Sequence, residues 1–314
     1  MDVGKYLLSI IGPTAVGKTA LSLRLAQDLD AEIISVDSRQ VYKYLDIGTD
    51  KVSEEIRKKI PHHLIDVVEP QDVFSAAAFA EMTFKVVKDI KDRGKIPILV
   101  GGTPFYYSAF FDGILTESLP KDEKVRDELE EMWNQGHKDE LRNKLACIDP
   151  KTYGRLHPND GRRIVRSLEV FMLTRKPISW WYSYAKRHEI AFRPLYLGLY
   201  RSRSTLYEAI ENRVEKQFAS GFVEETERLL RMGYDESLPA LQGFGYKELI
   251  LFHKGELSLD EAKQNDIKAT KAFARRQMTW FRRFSPGLWY DVTGGMPYKD
   301  IRQVVERWKT VLIW

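Results

Sequence analysis

The sequence predicts an α/β fold, a parallel sheet flanked by helices with a helical insertion domain. Three observations predict it. Short apolar runs alternate with helical patterns from residue 6 to about residue 115. A glycine-rich loop joins the first apolar run to the first helical pattern. The alternation stops near residue 116, gives way to charged helices, and resumes near residue 193. A chain of 314 residues also exceeds the usual size of one hydrophobic core, so two structural units are expected.

Taken in order, "YLLSII" (6–11) reads as a buried strand, and Leu21, Leu25, Ala26 and Leu29 recur at helical spacing after the loop. "EIISVDS" (32–38) is a second apolar run, ending in an acid. "HHLIDVV" (62–68) and "KIPILVGG" (95–102) read as third and fourth strands, and "FSAAAFAEMTFKVVKDI" between them as a helix with Ser75 as its N-cap. Residues 116–192 hold the helical insertion, with "DEKVRDELEEMWNQ", "HPNDGRRIVRSLEVFMLTRKP" and the aromatic-basic "SWWYSYAKRHE". "RPLYLGLY" (193–200) returns to the sheet, and the remainder reads as helical to a short hydrophobic tail. The catalytic core thus comprises 1–115 and 193–314. Strands separated by helices imply a parallel sheet covered on both faces, whose ligands gather at the carboxyl ends of the strands. The glycine loop, Asp37 and the Gly101-Gly102-Thr103 segment each follow a strand directly, so they should converge on one crevice.

Composition narrows the function classes. Charged residues make up 30% and hydrophobic ones 43%, an ordinary globular profile, and the net charge of +4 says little by itself about partners. No apolar stretch approaches the roughly 20 residues needed to span a bilayer, so no membrane partner is expected. "MDVGKYLLSIIG" reads as a first strand rather than a signal peptide. Cys147 is the single cysteine, which excludes an internal disulfide and a zinc site of several thiolates and suits the cytoplasm. The protein is taken as a monomer.

The chemistry begins at "IIGPTAVGKTAL" (10–21), which carries the P-loop spacing G-x-x-x-x-G-K-[ST]. Gly12 and Gly17 let the backbone curl so that the amides of Thr14, Ala15, Val16, Gly17, Lys18 and Thr19 face inward. The following helix adds its positive end, and the Lys18 ammonium neutralises phosphate charge. Thr19 offers a hydroxyl to Mg2+. A P-loop NTPase-like core follows, but a conventional NTPase needs more. No apolar strand ends in Asp-Glu, and no N-K-x-D for guanine is found. The nearest acid after a strand is Asp37. A carboxylate there serves as a general base, a helix cap or a group around a metal.

The blocks "GPTAVGKTAL", "DSRQVYKYLDIGT", "HHLIDVVEP", "FSAAAFAE", "VGGTPFYYSAFFDG", "HPNDGRRIVRSLEV", "LQGFGYKEL" and "RRQMTWFRRF" occur in the order found in the tRNA dimethylallyltransferases, and the chain resembles that family from residue 10 to about 284. The resemblance implies transfer of a dimethylallyl group from dimethylallyl diphosphate to N6 of the adenosine 3′ of the anticodon, with release of pyrophosphate. It implies that the P-loop cradles the donor's diphosphate, that Arg213 in "ENRVEKQF" touches it, that Asp37 is the base, and that Thr103 lies beside the reacting amine. It further implies tRNA contacts from Asp37, Ser38, Arg39, Gln40, Thr103, Arg126, Arg162, Arg163, Arg166, Gln242, Gly245, Tyr246, Lys247, Arg275, Arg276, Gln277 and Arg282.

The residues give some of this independent support. Arg162, Arg163 and Arg166 share a helical edge. Lys268, Lys271, Arg275 and Arg282 fall within roughly 60° of arc at 3.6 residues per turn, with Arg276 and Arg283 extending the positive surface. Backbone phosphates are the natural partner of such a stripe, although basic helix edges are commonly just solvated. Trp180 and Trp181 could stack on nucleobases or pack the insertion. Two departures concern loop shape: Asp50-Lys51-Val52 stands where many relatives read A-K-P, and Pro104-Phe105-Tyr106 where many read G-L-Y. An adenylate isopentenyltransferase acting on free AMP, ADP or ATP, a P-loop small-molecule kinase and a tRNA-binding module without activity are the competing readings. Free nucleotides would need neither the insertion nor the C-terminal arginines.

Overall fold

The computed structural model of the chain describes residues 5–113, 119–185, 192–285 and 287–312. The elements in chain order are β1 (Tyr6–Ile11), α1 (Lys18–Leu29), β2 (Ala31–Val36), α2 (Glu54–Lys59), β3 (His62–His63), α3 (Ala76–Asp92), β4 (Ile96–Gly101) and α4 (Pro104–Asp112). There follow α5 (Glu123–Asn134), α6 (Lys138–Ile148), α7 (Pro150–Tyr153), α8 (Gly161–Thr174) and α9 (Ile178–Ala185). The chain then continues through β5 (Arg193–Tyr200), α10 (Arg203–Ala219), α11 (Phe222–Arg231), α12 (Tyr246–His253), α13 (Leu259–Phe281), β6 (Gly287–Asp291) and α14 (Tyr298–Leu312).

The six strands pair throughout in parallel, in the order β3-β2-β4-β1-β5-β6. Parallel pairing needs both faces covered, and β1, β2 and β4 are accordingly apolar almost end to end. Leu8, Ile10, Ile33, Ile98, Leu197 and Leu199 form one core with Leu21 and Leu25 of α1 and Ile301 and Val305 of α14. A second core joins Val41, Tyr42 and Leu45, after β2, to Phe222, Leu229, Tyr246 and Leu249 of α11 and α12.

The chain divides into two compact units, residues 1–74, 78–107 and 191–314 in one, residues 75–77 and 108–190 in the other. The second is helical, with its own core of Leu129, Leu141, Leu145, Ile164, Val165 and Leu168 from α5, α6 and α8. The ends of the expected insertion, 116–118 and 186–191, lie outside the described residues.

Two strand expectations need correction. The third strand stops at His63, because Leu64 and Asp66 take φ of 61° and 58°, left-handed values that no ladder accommodates. Only a bridge between Tyr42 and Val68 remains of its second half. The C-terminal part is not wholly helical: β6 extends the sheet beyond β5, and Trp289 lies over Gly198, where a Cβ would come within 2.4 Å of the indole.

At the amino ends of the strands, Glu32 is buried and receives two bonds from Arg93, one of them Nη2 to Oε2 at 2.8 Å, and a contact from His63 Nε2 at 2.7 Å. The Arg93 hydrogen bonds, opposed by burial and assisted by His63, hold this carboxyl at about 2, below its ordinary 4.5. Its folded pKa is depressed, so the stability it contributes is present above pH 4.5 and lost as pH falls toward 2. Glu32→Gln should lower unfolding free energy by about 1–3 kcal/mol at pH 7. Urea titrations should find the gap between variant and parent closing below pH 4; a gap independent of pH would assign the loss to packing.

Candidate active site

The sheet topology brings the chemistry together. β2, β4, β1 and β5 are neighbours, and Val36, Ile11 and Gly101 are in register. Asp37, Gly102 and Gly12 therefore emerge side by side at spacings of about 5 Å, the separation of paired strands. Gly101 is required at this level, since a Cβ there would sit 2.0 Å from Val36 O.

The loop between β1 and α1 has the backbone geometry its glycines foreshadow. Gly12 has φ of 148° and passes so close to β5 that a Cβ would meet Leu199 O at 2.6 Å. Gly17 caps α1 in the left-handed conformation, at φ 106°, with no side-chain cap competing for the helix amides. Val16 is buried beneath the loop. Lys18 folds back and donates to Gly12 O at 3.0 Å and Pro13 O at 2.8 Å. Burial pushes its ammonium down to about 7; Asp37 and Asp50 oppose the shift and Arg213 adds to it. A phosphate group would remove that destabilisation, since opposite charge favours the protonated amine.

Arg213 reaches the loop from α10, donating from Nη1 to Thr14 Oγ1 at 2.6 Å, with Asp50 Oδ2 lying 3.7 Å from its Nε. Asp37 divides its two oxygens. Oδ1 accepts the amides of Arg39 at 2.8 Å and Gln40 at 3.4 Å, fixing the turn, while Oδ2 has no hydrogen-bond partner among the described residues. The Asp37 carboxylate thus caps a turn through one oxygen and leaves the other without a bond among the described residues. Thr103 Oγ1 accepts from Ser38 N at 3.1 Å and sits 3.5 Å from Ser38 Oγ, tying the end of β2 to the end of β4.

Several residues expected to meet tRNA have partners inside the protein. Gln277 is buried: its Oε1 accepts the Thr14 amide at 2.9 Å and its Nε2 donates to Gly102 O at 2.5 Å, so both ends of the amide are taken. Tyr246 is buried with its hydroxyl on Glu225 at 2.6 Å, and Gly245 is buried beside it. Arg39 donates to Ala240 O at 2.6 Å, and Gln40 bonds Ser35 and Thr49 O at 2.8 and 3.1 Å. Within the helical unit, Arg126 and Arg166 both grip the buried Glu169 at 2.7 Å. A buried carboxylate needs such partners, so these two cations serve the fold first.

Other expected residues do present themselves to solvent. Arg162 and Arg163 are exposed on α8, Arg163 paired with Asp160 at 3.1 Å. Gln242 and Lys247 are exposed around the start of α12. On α13, Lys271 pairs with Glu211 and Arg275 donates to Tyr207 OH at 3.0 Å, whereas exposed Lys268 and Arg276, with Arg282 and Arg283 just beyond the helix, have no ion-pair partner among the described residues. Trp181 donates to Thr174 at 3.2 Å and stands edge-on to the partly exposed Trp180. Lys186 and Arg187 of the same stretch lie outside the described residues.

Two residues near the site were not singled out from the sequence. Glu225 is buried and accepts the amides of Asp46, Ile47 and Gly48 at 2.9, 2.7 and 3.1 Å, which holds the segment leading to Asp50. Arg201 follows β5 directly, in the position relative to its strand that singled out Asp37. The rule that found the acid would have found the arginine.

With this geometry described, comparison with known proteins is informative. The IPP transferase family matches residues 40–284. The chain is 44% identical over 289 residues to the tRNA dimethylallyltransferase of Carboxydothermus hydrogenoformans, covering 92% of this chain and 93% of that one. Identity is likewise 44%, over 291 residues, to the tRNA dimethylallyltransferase of Geobacter metallireducens, with 92% and 93% covered. Among solved structures, the full-length tRNA isopentenylpyrophosphate transferase of Bacillus halodurans superposes with a TM-score of 0.72 at 35% identity, covering 98% of this chain and 97% of the other. A eukaryotic dimethylallyltransferase captured acting on tRNA gives a TM-score of 0.80 at 28% identity, over 98% of this chain and 76% of that one.

The internal role of Gln277 is testable. Gln277→Ala orphans the Thr14 amide and the Gly102 carbonyl and should cost about 2–4 kcal/mol of unfolding free energy, one to two unsatisfied groups' worth. Urea denaturation measures this. Unaltered stability with weakened tRNA binding would instead return Gln277 to the surface.

Proposed function

Because this chain belongs to the IPP transferase family and transfers dimethylallyl groups to tRNA, we propose that its crevice is arranged for ionisation of an allylic diphosphate beside an extruded adenosine. The observation that carries this reading is the meeting of Lys18 and Arg213 at the glycine loop with Asp37 and Thr103 at neighbouring strand ends. The P-loop amides of 15–19, Lys18 and Arg213 hold the donor's diphosphate. As its C1–O bond stretches, negative charge grows on the departing pyrophosphate, and these fixed cations and amides stabilise it. The acceptor is N6 of the adenosine 3′ of the anticodon, a weak nucleophile because its lone pair is delocalised into the purine. N6 attacks C1, the C1–O bond breaks, and the N6 proton passes to the free oxygen of Asp37. Thr103, already bonded to the turn that carries Asp37, lies beside the amine.

The donor set here fits Mg2+. The exposed Thr19 hydroxyl has no hydrogen-bond partner among the described residues, and no cluster of three or more His, Cys, Asp or Glu is found among them. So sparse a set suits a hard cation that keeps water and substrate phosphate oxygens as its other ligands. When bound, such an ion neutralises charge on the leaving diphosphate.

The acceptor adenosine must leave its stack, at a cost of about a few kcal/mol. In this reading exposed cations offset that cost by binding backbone phosphate: Arg162 and Arg163 on one unit, Lys247, Arg275, Arg276 and Arg282 on the other. No described helix is long and apolar enough to cross a membrane, and the reading keeps the enzyme in the cytoplasm with its tRNA.

Labelled dimethylallyl diphosphate, offered with magnesium to unmodified tRNA and in parallel to AMP, ADP and ATP, should label tRNA alone; label in the nucleotides would make the enzyme an adenylate isopentenyltransferase. Asp37→Ala should lower turnover about 10²- to 10⁴-fold with tRNA affinity nearly intact, and an unchanged rate removes Asp37 from the role of base. Replacing Arg276 and Arg282 together by alanine should flatten the salt dependence of tRNA binding by about 1.5 units of slope. A slope that stays fixed means neither side chain faces phosphate.

A further inference from the structure

β5 ends at Tyr200 beside β1, and the next residue, Arg201, turns over the end of the glycine loop. A Cβ built on Gly17 would lie 3.6 Å from Arg201 Nη2. Gly17 is the residue that caps α1, where free amides and the positive helix end favour an anion. The Arg201 guanidinium makes no hydrogen bond or ion pair among the described residues, and its Nε is buried without a partner. Such a group is costly to leave unpaired, and a guanidinium is shaped for two phosphate oxygens. Its chain neighbours are engaged elsewhere: Ser202 N donates to Thr293 at 2.7 Å, and Arg203 lies against the Tyr207 ring.

From this juxtaposition we propose that Arg201 is a further diphosphate-binding residue, closing on the donor from the Gly17 end of the loop while Arg213 holds it from the Thr14 end. The two arginines come from one stretch of chain, β5 running into α10, so a single segment brackets the loop with cations on both sides. The proposal rests on the reading that the loop binds the dimethylallyl donor. Sequence reasoning had assigned Arg201 no role.

Inorganic pyrophosphate with magnesium is a suitable probe, since it is the leaving group and carries no prenyl tail. Its binding to the full-length protein and to Arg201→Ala and Arg201→Met is measured calorimetrically, with tRNA affinity measured on the same samples. Arg201→Met keeps the packed aliphatic stem if the alanine variant is unstable. Loss of the cation should weaken pyrophosphate about tenfold or more, the effect of one charge-assisted hydrogen bond. The Michaelis constant for dimethylallyl diphosphate should rise in step, Arg201→Lys should recover part of the loss, and tRNA affinity should stay within about twofold. Pyrophosphate affinity unchanged in both variants overturns the assignment. Weaker tRNA binding with unchanged pyrophosphate binding overturns it too, and gives Arg201 to the nucleic acid. A parent protein that itself fails to bind pyrophosphate overturns the reading of the loop beneath the assignment, which separates that failure from one confined to Arg201.

Discussion

A loop that turns its amides toward a ligand cannot use them to hold itself together, and the Gln277 amide resolves that conflict. It takes the first available amide of the loop, that of Thr14, and binds the Gly102 carbonyl at the end of the adjacent strand. One side chain on α13 thereby fixes the phosphate loop and the segment carrying Thr103 to each other. Thr103 passes the constraint to Ser38, and the Asp37 turn follows from there. Glycine loop, hydroxyl and carboxylate are spaced by a chain of hydrogen bonds whose first link is buried. Preorganisation of this kind removes the reorganisation that would otherwise accompany charge development.

The cations divide into two populations. Arg126 and Arg166 are tied to Glu169, Arg93 to Glu32, and Lys51 is buried between Asp46 and Asp66. The three arginines compensate the buried Glu169 and Glu32, and Lys51 is itself the buried member of its pairs. Arg162, Lys247, Arg276 and Arg282 have no such obligation among the described residues. A count of basic residues therefore overstates the surface free to meet phosphate, and a helical wheel does too, because it cannot see a carboxylate on another helix. The row on α13 illustrates the point: α10 supplies Glu215 to Lys263, Glu211 to Lys271 and Tyr207 to Arg275.

The strands that position the site were legible because burial on both faces forces continuous apolar runs, and the glycine loop because its conformation demands particular residues. β6 was not legible: five residues at a sheet edge, three of them exposed, carry little periodicity. The end of β3 was hidden because nothing local announces that Leu64 adopts a left-handed backbone. Within the site, residues at strand ends were found by topology, and Arg201 could have been. The burial of Gln277 and Tyr246 was not legible for a different reason. The resemblance offered them as tRNA contacts, yet each turns inward, a fact settled by partners far away in sequence.

The pairing of β1 with β5 has a consequence for how the molecule comes into being. Tyr6 lies opposite Arg193, so the central strand lacks one neighbour until nearly two-thirds of the chain has been made. Contacts of such sequence separation slow folding, because chain entropy is lost before the pairing compensates for it. The closure cost grows only with the logarithm of the intervening length, and a helical segment with its own core shortens the effective loop by folding first. On the ribosome the glycine loop would thus emerge early yet stay open along its β5 side. Leu199, against which Gly12 is packed, and the β5–α10 segment arrive together, and Gln277 of α13 later still, so the loop acquires its packing and its hydrogen-bonded tie in two successive late steps of synthesis.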